Sequence, residues 1–395
     1  MLINVERLRI GSVIRNFYRP VRIFGDTQRR KRVINAKLEI VNQIPDPQNW
    51  KQEIGSYFGF SVGSGIFDGA QSTRILYVGG APHTKQEFGE VYIFDYVLSR
   101  FKETNINIKK IQTFHGQQFG EFFGYAILSE DVNGDGWTDL IVSAPLYADG
   151  ILYEKGAVYV FINKGNFQFE SQLIVSPSDE PARFGTTISK LGDINNDGFN
   201  DLAIGAPFDG DGLVYIYLGN PNGLNTKYSQ ILKAPLLKSF DQQHMFGHGL
   251  SRGVDIDSNG YNDLAVGAPN AEAVYLYKAY PVVKIIASIS SVSREIKKDQ
   301  TKFQIRACYK IESVLQRSYS ADLVIKIKLD PQVRRVSFES GSNEMEINVI
   351  GSDKNICNLY NVNVKFSLKD IFKPIELEMN SDLVHKVPDS EGINK

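Results

Sequence analysis

The stretch DVNGDGWTDLIVSAP, from Asp131 to Pro145, places a dense group of oxygen-bearing side chains directly before an apolar run. The pattern returns as DINNDGFNDLAIGAP from Asp193 and as DIDSNGYNDLAVGAP from Asp255, so consecutive copies begin 62 residues apart. A Phe-Gly pair precedes each copy, and a Val-Tyr run follows it. The chain therefore contains a repeated unit of about 60 residues, and regular repeats of such length indicate a solenoid, a propeller or another array.

A fourth unit precedes these three but lacks the acidic loop. It has a Phe-Gly pair at Phe58, the segment LYVGGAP ending at Pro82, and VYIF from Val91. Its loop, FDGAQSTR, retains only Asp68. Further back, VRIF from Val21 has the form of the last part of a preceding unit.

The repeated units predict short β-strands. Each unit alternates short apolar runs with Gly, Pro, Asn and Asp, and none shows a helical period. One four-stranded sheet per unit, repeated radially, is a β-propeller, which leaves few sheet edges exposed. After Tyr280 this order of motifs no longer recurs. In runs such as KFQIRACYKI and ADLVIKIKL, apolar and polar residues alternate with a period of two, which is typical of an antiparallel sandwich. We therefore expect a domain boundary near residue 280.

The acidic loops are candidate metal sites. Oxygen-bearing side chains occupy positions 1, 3, 5 and 9, position 7 can offer its backbone carbonyl, and a glycine at position 6 permits a sharp reversal. Calcium prefers about six to eight oxygen ligands, whereas magnesium prefers a stricter octahedral shell rich in water. The candidate calcium ligands are Asp131, Asn133, Asp135, Trp137 and Asp139; Asp193, Asn195, Asp197, Phe199 and Asp201; and Asp255, Asp257, Asn259, Tyr261 and Asp263.

The loops have two alternative interpretations, an ordinary turn and an EF-hand. Asp, Asn and Gly form ordinary turns, but a turn alone does not require an aspartate at position 9 in all three copies. An EF-hand requires a bidentate glutamate at position 12, where this chain has Val142, Ile204 and Val266. The pattern therefore favours a calcium loop within a β-hairpin.

Composition excludes several classes of function. With 44 basic and 45 acidic residues the formal net charge is −1, so no global field favours binding to nucleic acid. The chain has no run of about 18 apolar residues, so the sequence predicts no membrane span. Glu6, Arg7 and Arg9 interrupt the start of the chain where a signal peptide needs an apolar core.

The five histidines lie outside any catalytic motif, so we expect no enzymatic activity. The basic run at Arg29 to Arg32 is typical of a solvated loop, with a protease or nuclear signal as the alternative.

The order of Phe-Gly pair, calcium loop and Gly-Ala-Pro resembles the FG-GAP repeat, and from about residue 55 to 395 the chain resembles an integrin alpha subunit. This resemblance implies an all-β protein in which four FG-GAP blades, similar to blades 4–7 of a seven-bladed propeller, precede an immunoglobulin-like thigh β-sandwich. The expected domains are an N-terminal segment 1–50 that ends a preceding blade, the propeller repeats 51–280, and an incomplete thigh-like domain 281–395. Within the last, VRRVSF from Val333 resembles a thigh segment of the family.

The resemblance also implies binding partners. It implies a subunit that binds Ca²⁺ at three sites, pairs with an integrin beta subunit, and contacts matrix or cell-surface ligands as the extracellular portion of a plasma-membrane receptor. The family's aromatic cage for a basic side chain of the beta subunit maps to Phe60, Tyr125, Thr186 and His248, although His248 departs from the usual aromatic. The alternatives are barrel-lining core residues at these positions and a soluble FG-GAP module without a beta subunit.

The two cysteines are also interpreted through the resemblance. Cys308 and Cys357 occupy the ends of what would be the thigh disulfide, and a bond across such a loop could stabilise the fold by about 4 kcal/mol. The alternative is two reduced, buried thiols, as in a cytosolic protein.

Overall fold

The computed structural model describes residues 8–9, 55–69, 72–84, 87–98, 106–234, 243–280, 283–293, 295–297, 300–313, 320–365, 374–384 and 392–393. Almost all of its regular structure is β, as the sequence predicts, and in these residues no helix has the length and hydropathy needed to cross a membrane. The run from Val21 and the basic run at Arg29 to Arg32 lie outside the described residues. The chain divides into two compact units, Met1–Asp193, Asp197–Val254 and Asn262–Tyr277 in the first, and Ile194–Asn196, Asp255–Tyr261 and Lys278–Lys395 in the second.

The FG-GAP repeats form four antiparallel sheets, which we call blades one to four. A two-residue strand, β1 (Leu8–Arg9), pairs with the fourth blade. Blade one comprises β2 (Val62–Gly65), β3 (Leu76–Ala81), β4 (Glu90–Leu98) and β5 (Ile106–His115) in that order. Blade two comprises β6 (Ile127–Glu130), β7 (Asp139–Ala144), β8 (Ala157–Asn163) and β9 (Phe169–Val175).

The later blades follow the same order with small variations. Blade three comprises β10 (Thr187–Gly192), β11 (Asp201–Ala206), β12 (Leu213–Tyr217) and β15 (Gln230–Lys233), with the short hairpin β13 (Gly219–Asn220) and β14 (Gly223–Leu224) before its last strand. Blade four comprises β16 (Gly249–Leu250), β17 (Leu264–Ala268) and β18 (Ala273–Ala279), with a 3₁₀ turn at Pro269–Ala271.

In blades two and three the second strand is buried on both faces. Every residue of β7 and of β11 is buried. In β7, Leu140 and Val142 belong to a core cluster shared with blade one, whereas Ile141 belongs to the cluster shared with blade three. These strands read as continuous apolar runs because each face packs against a neighbouring blade.

One backbone hydrogen bond joins the Phe-Gly pair to the segment that ends the second strand in every blade, which is Gly-Ala-Pro in three blades and Ser-Ala-Pro in blade two. The amide of Gly124 donates to the carbonyl of Ser143 at 3.0 Å, and the same bond recurs in the other blades at 2.8–3.1 Å, from Gly59 to Gly80, Gly185 to Gly205 and Gly247 to Gly267. The residue before each phenylalanine has a positive φ of 45–61°, at Tyr57, Phe122, Arg183 and Met245. The pair and the segment therefore form one unit of structure, a closed turn at one end of the first two strands.

The phenylalanine of that turn anchors the blade to its own core. Phe123 is fully buried, and its ring meets that of Tyr159 edge-on with the centroids 5.1 Å apart. Phe184 with Tyr215 and Phe246 with Tyr275 repeat the contact at 5.6 Å. Edge-to-face aromatic pairs at such distances stabilise beyond their buried area by about 0.5–1.5 kcal/mol.

A glycine before the third strand allows neighbouring blades to approach closely. A Cβ added to Gly156 would lie 2.3 Å from the carbonyl oxygen of Phe184 in the next blade. Gly89 and Gly212 would meet Phe123 and Phe246 in the same way, at 2.3 and 2.2 Å. No side chain fits in this space, so the repeat requires glycine here for packing as well as for its positive φ of 82–100°.

The second unit consists of two sheets around a shared core. One sheet has the order β19 (Val283–Ser291), β20 (Lys302–Ser313), β24 (Ile356–Val364) and β22 (Val336–Phe338). The other has the order β23 (Glu344–Gly351), β21 (Ala321–Leu329) and β25 (Leu377–Leu383). A last short strand, β26 (Gly392–Ile393), pairs in parallel with the end of β18. Both sheets contribute to one apolar cluster, which includes Ile305, Val362, Ile325 and Ile327.

The second unit also contains the disulfide and a buried ion pair. Cys308 and Cys357 are bonded, which confirms the disulfide that the resemblance implied. Asp330 and Arg335 are both almost fully buried, and Nη2 of Arg335 lies 2.8 Å from Oδ1 of Asp330. The Arg335 backbone amide and Nε donate to Oδ2 of the same carboxylate, and Nη2 also donates to the carbonyl of Pro374. These hydrogen bonds hold the pKa of Asp330 below its usual value.

The close approach at Gly156 can be separated from backbone strain by a matched pair of variants. Gly150 has a positive φ of 61°, but an added Cβ there meets nothing within 4 Å. We expect Gly150→Ala to cost about 1–2 kcal/mol through strain alone. Gly156→Ala adds overpacking of about 1–3 kcal/mol, measurable by urea unfolding. Equal losses for the two variants would contradict the packing role of Gly156.

The buried ion pair predicts a pH dependence of unfolding in the second unit. Because the folded pKa of Asp330 is depressed, its stabilisation is complete above the unfolded value of about 3.9 and is lost as the pH falls through the lower folded value. We expect Asp330→Asn to lower the free energy of unfolding by about 3 kcal/mol at pH 7 and by much less near pH 2. The exposed Asp322 provides the control, because Asp322→Asn should change stability little at either pH. A loss that does not depend on pH would refute the assignment.

Candidate metal centre

The three acidic loops connect the first and second strands of blades two, three and four, and they share one hydrogen-bond frame. In each loop the carboxylate at position 1 accepts a 2.8 Å hydrogen bond from the glycine amide at position 6: Asp131 from Gly136, Asp193 from Gly198 and Asp255 from Gly260. The side-chain oxygen at position 5 accepts from the amide at position 7 at 2.8–3.0 Å: Asp135 from Trp137, Asp197 from Phe199 and Asn259 from Tyr261. The loops therefore have the same internal geometry despite different residues between the ligand positions.

The aspartate at position 9 is buried and tied to the backbone. Asp139 is fully buried, and it accepts hydrogen bonds from the amide of Val132 at 3.0 Å and from the amide of Asn163 at 2.8 Å. Asp201 is also fully buried and accepts from the amide of Gly219 at 2.9 Å. This aspartate therefore anchors the loop to the backbone at the end of the third strand in blade two and just beyond it in blade three, a structural role that the sequence did not reveal.

The electrostatic environment of Asp139 favours a cation. The pKa of Asp139 is raised to about 7. Burial is the main cause, its two backbone hydrogen bonds oppose the rise, and the neighbouring carboxylates of Asp135 and Asp131 add to it. The charged forms of these three groups repel one another across the loop. A hard cation between them would offset that repulsion, and its oxygen donors are the kind that calcium prefers.

The third loop has the tightest group of carboxylates. One oxygen from each of Asp255, Asp257 and Asp263 lies within 4.8 Å of the other two, and no other trio of acidic, histidine or cysteine side chains in the described ranges does so. Asn259 donates to the carbonyl of Ala279 at 2.8 Å, and Nζ of Lys278 lies 3.6 Å from Oδ2 of Asp257. This donor set fits a metal ion. The backbone carbonyls of Trp137, Phe199 and Tyr261 remain predicted ligands.

Position 8 of each loop reaches the preceding blade, which sequence reasoning missed because the residue type varies. Thr138 accepts a hydrogen bond at its hydroxyl from the amide of Ile66 at 3.0 Å. Asn200 donates to the carbonyl of Asp131, and Asn262 donates to the carbonyl of Leu191, both at 2.7 Å. These hydrogen bonds connect each loop to the preceding blade. The signal in the sequence is a polar side chain at position 8 in all three copies.

The loop of blade one carries an arginine instead of a ligand set. The strand register pairs Leu76 with Gly65 as it pairs Asp139 with Glu130, so the buried Leu76 takes the place of the ninth-position aspartate. The Arg74 guanidinium lies 3.8 Å from Asp68 and donates to Asp95 through Nε at 3.1 Å. A positive side chain therefore bridges the acids near this loop.

The predicted partner-binding residues differ in their surroundings. The rings of Phe60 and Tyr125 lie 5.0 Å apart, whereas Thr186 is buried and its hydroxyl donates to the carbonyl of Arg183. His248 is exposed, and across the described part of the chain no ring contact involves it.

The structure adds further rings to the pair of Phe60 and Tyr125. Phe122 lies 6.3 Å from both, and His83 links Phe122 to Tyr57 at 6.4 and 5.1 Å. We call these five residues the aromatic surface cluster, because Phe60 and Tyr57 are about half exposed. Tyr57 and Phe122 immediately precede Phe-Gly pairs. An aromatic residue at this position is the feature of the sequence from which their place in the cluster could have been predicted.

Comparison with known proteins agrees with the repeat assignment. Residues 131–204 match an FG-GAP-like repeat family, and residues 246–277 match the FG-GAP repeat family. Integrin alpha-PS3 of Drosophila melanogaster is 52% identical over 353 residues, covering 88% of this chain and 31% of the relative. Integrin alpha-PS5 of the same species is 46% identical over 87% of the chain and 34% of the relative, and integrin alpha-IIb of Mus musculus is 35% identical over 83% and 33%.

These matches bear on the length and class of the protein. The chain spans about a third of the length of the curated relatives it matches. Its relatives are adhesion receptor subunits, which agrees with the expectation of no enzymatic activity. The FG-GAP repeats, the propeller sheets and this similarity along most of the chain show that it belongs to the integrin alpha family.

Proposed function

We propose that the chain is part of the extracellular portion of an integrin alpha-like adhesion receptor subunit that binds calcium in three propeller loops. The observation that carries this proposal is the hydrogen-bond frame common to the three loops. In the third loop, the carboxylates of Asp255, Asp257 and Asp263 also lie close together. Similarity to integrin alpha subunits supports the receptor class.

Calcium is favoured by the chemistry of the donors. Each loop offers three carboxylates and one carboxamide, because the asparagine is at position 3 in the first two loops and at position 5 in the third. All the donors are oxygens, and a loop that closes on flexible side chains suits the larger, less rigid shell of calcium. When bound, the ion neutralises the carboxylates and holds the loop closed, while the chain's own hydrogen bonds orient positions 1, 5 and 9.

The aromatic surface cluster is the proposed contact with an integrin beta subunit. Its rings stand beside the Phe-Gly turns, on an exposed surface, and they could surround a basic side chain of the partner. A desolvated cation against such rings is worth about 2 kcal/mol. Adhesion to matrix or cell-surface ligands and signalling would follow from that pairing. In this proposal residues 281–395 form an immunoglobulin-like spacer.

Calcium should stabilise the propeller. We expect titration with calcium to raise the midpoint of thermal unfolding, by linkage equivalent to about 2.7 kcal/mol per site at a free concentration 100 times the dissociation constant. Equilibrium dialysis should find three bound ions per chain, one for each loop. An unchanged midpoint together with no bound ion would refute calcium binding.

The third loop allows a matched test of the ligand assignment. Position 1 is aspartate in all three loops, whereas position 3 is aspartate only in the third and asparagine in the others. Asp255→Asn should therefore reduce the bound ions from three to two, and Asp257→Asn should keep three with weaker affinity at the third site. The two variants remove the same charge, so equal effects on stoichiometry would contradict the assigned roles.

Pairing with a beta subunit should depend on the aromatic surface cluster. We expect Tyr125→Ala to reduce co-purification with a co-expressed integrin beta subunit, with a loss of about 2 kcal/mol in binding. Tyr153→Ala is the control, because Tyr153 is an exposed aromatic of the same blade outside the cluster. Both variants are compared at equal calcium occupancy and unfolding midpoint. If the unaltered chain binds calcium but captures no beta subunit, a soluble FG-GAP module is the better description.

A further inference from the structure

The disulfide of the second unit lies across two strands that are already paired. Cys308 on β20 stands directly opposite Cys357 on β24, with their Cα atoms 4.1 Å apart. The ladder runs in unbroken register from Lys302 with Asn363 to Tyr309 with Ile356. The backbone hydrogen bonds of this ladder hold the two strands together independently of the sulfur bridge.

The sulfur atoms lie on the outer face of the sheet. Alternate residues of β20, including Ile305, Ala307 and Tyr309, are buried in the shared core, so Cys308 points to the opposite face. Cys357 is exposed and Cys308 is partly exposed. The residue opposite Cys308 on the neighbouring strand β19 is the small, exposed Ser288, which leaves an open approach to the bridge.

Positive side chains flank Cys308 on the same face. Arg306 and Lys310 are two residues before and after it, and Arg306 is exposed. Lys310 is ion-paired with Glu312, which leaves Arg306 as the stronger neighbour. A cation beside a thiolate lowers its pKa and makes it a better leaving group.

We propose that Cys308–Cys357 is a reversible modification site, open to thiol–disulfide exchange with a dithiol of the Cys-x-x-Cys class while the unit stays folded. A thiolate of the dithiol attacks Sγ of the more exposed Cys357. The sulfur–sulfur bond breaks, and its electron pair leaves with Sγ of Cys308, next to Arg306. The second thiol of the dithiol then attacks the mixed disulfide and releases the Cys357 thiolate. The dithiol is oxidised to a disulfide, and the two cysteines are reduced.

The test uses dithiothreitol as the dithiol and the full chain with calcium present. After timed exposure, free cysteines are alkylated with iodoacetamide and located by mass spectrometry, and near-ultraviolet circular dichroism monitors the fold. We expect both cysteines to be labelled in folded protein at a rate that low urea concentrations do not change. Labelling that appears only with global unfolding, and rises with urea in parallel with it, would overturn the proposal.

A matched pair of variants tests the role of the flanking charge. Arg306→Gln should slow the reduction about threefold, because the departing thiolate of Cys308 loses the cation beside it. Lys302→Gln removes the same charge from the same face but about 20 Å further along the strand, and it should leave the rate unchanged. Equal rates for the two variants would overturn the assignment of Cys308 as the leaving group.

Discussion

A single backbone hydrogen bond, from the glycine of each Phe-Gly pair to the segment that ends the second strand, organises the propeller unit. It closes one end of the first two strands, and the acidic loop closes the other. The same bond fixes the turn that delivers Phe123 into the core, where it contacts Tyr159. The aromatic surface cluster and the acidic loops therefore lie at opposite ends of the strands, so the proposed partner contact and the proposed ion sites use separate surfaces.

The repeat and the strands could be predicted because each depends on residue types that recur at fixed positions, and the same spacing carries the proposed ligand positions. The buried aspartate at position 9, for example, must be an acid whether it anchors the backbone or binds an ion. The hydrogen bond from position 8 to the preceding blade could not be predicted, because different side chains form it: a hydroxyl in Thr138 and a carboxamide in Asn200. The ion pair of Arg335 with Asp330 could not be predicted either. The backbone of the turn brings the two residues together, and no motif in the sequence marks their spacing.

The loop of blade one shows how the repeat persists without a ligand set. Leu76 takes the place of the buried aspartate at position 9. Blade one therefore avoids the free-energy cost of removing a carboxylate from water. The remaining carboxylates, Asp68 and Asp95, are neutralised by Arg74, a cation that belongs to the chain. In this blade a side chain of the protein supplies the positive charge that an ion is proposed to supply in the others, so its stability should not depend on the calcium concentration.

The hydrogen bonds at position 8 link the loops in series. Asn200 of the second loop donates to the carbonyl of Asp131, the first proposed ligand position of the loop before it. Asn262 of the third loop donates to the carbonyl of Leu191, in the strand that leads into the second loop. A loop that is ordered at one site therefore presents its neighbour with an acceptor already in place, and the entropy of ordering is shared. If the proposed sites bind ions, this linkage makes the ordering of one loop favour the ordering of the loop beside it.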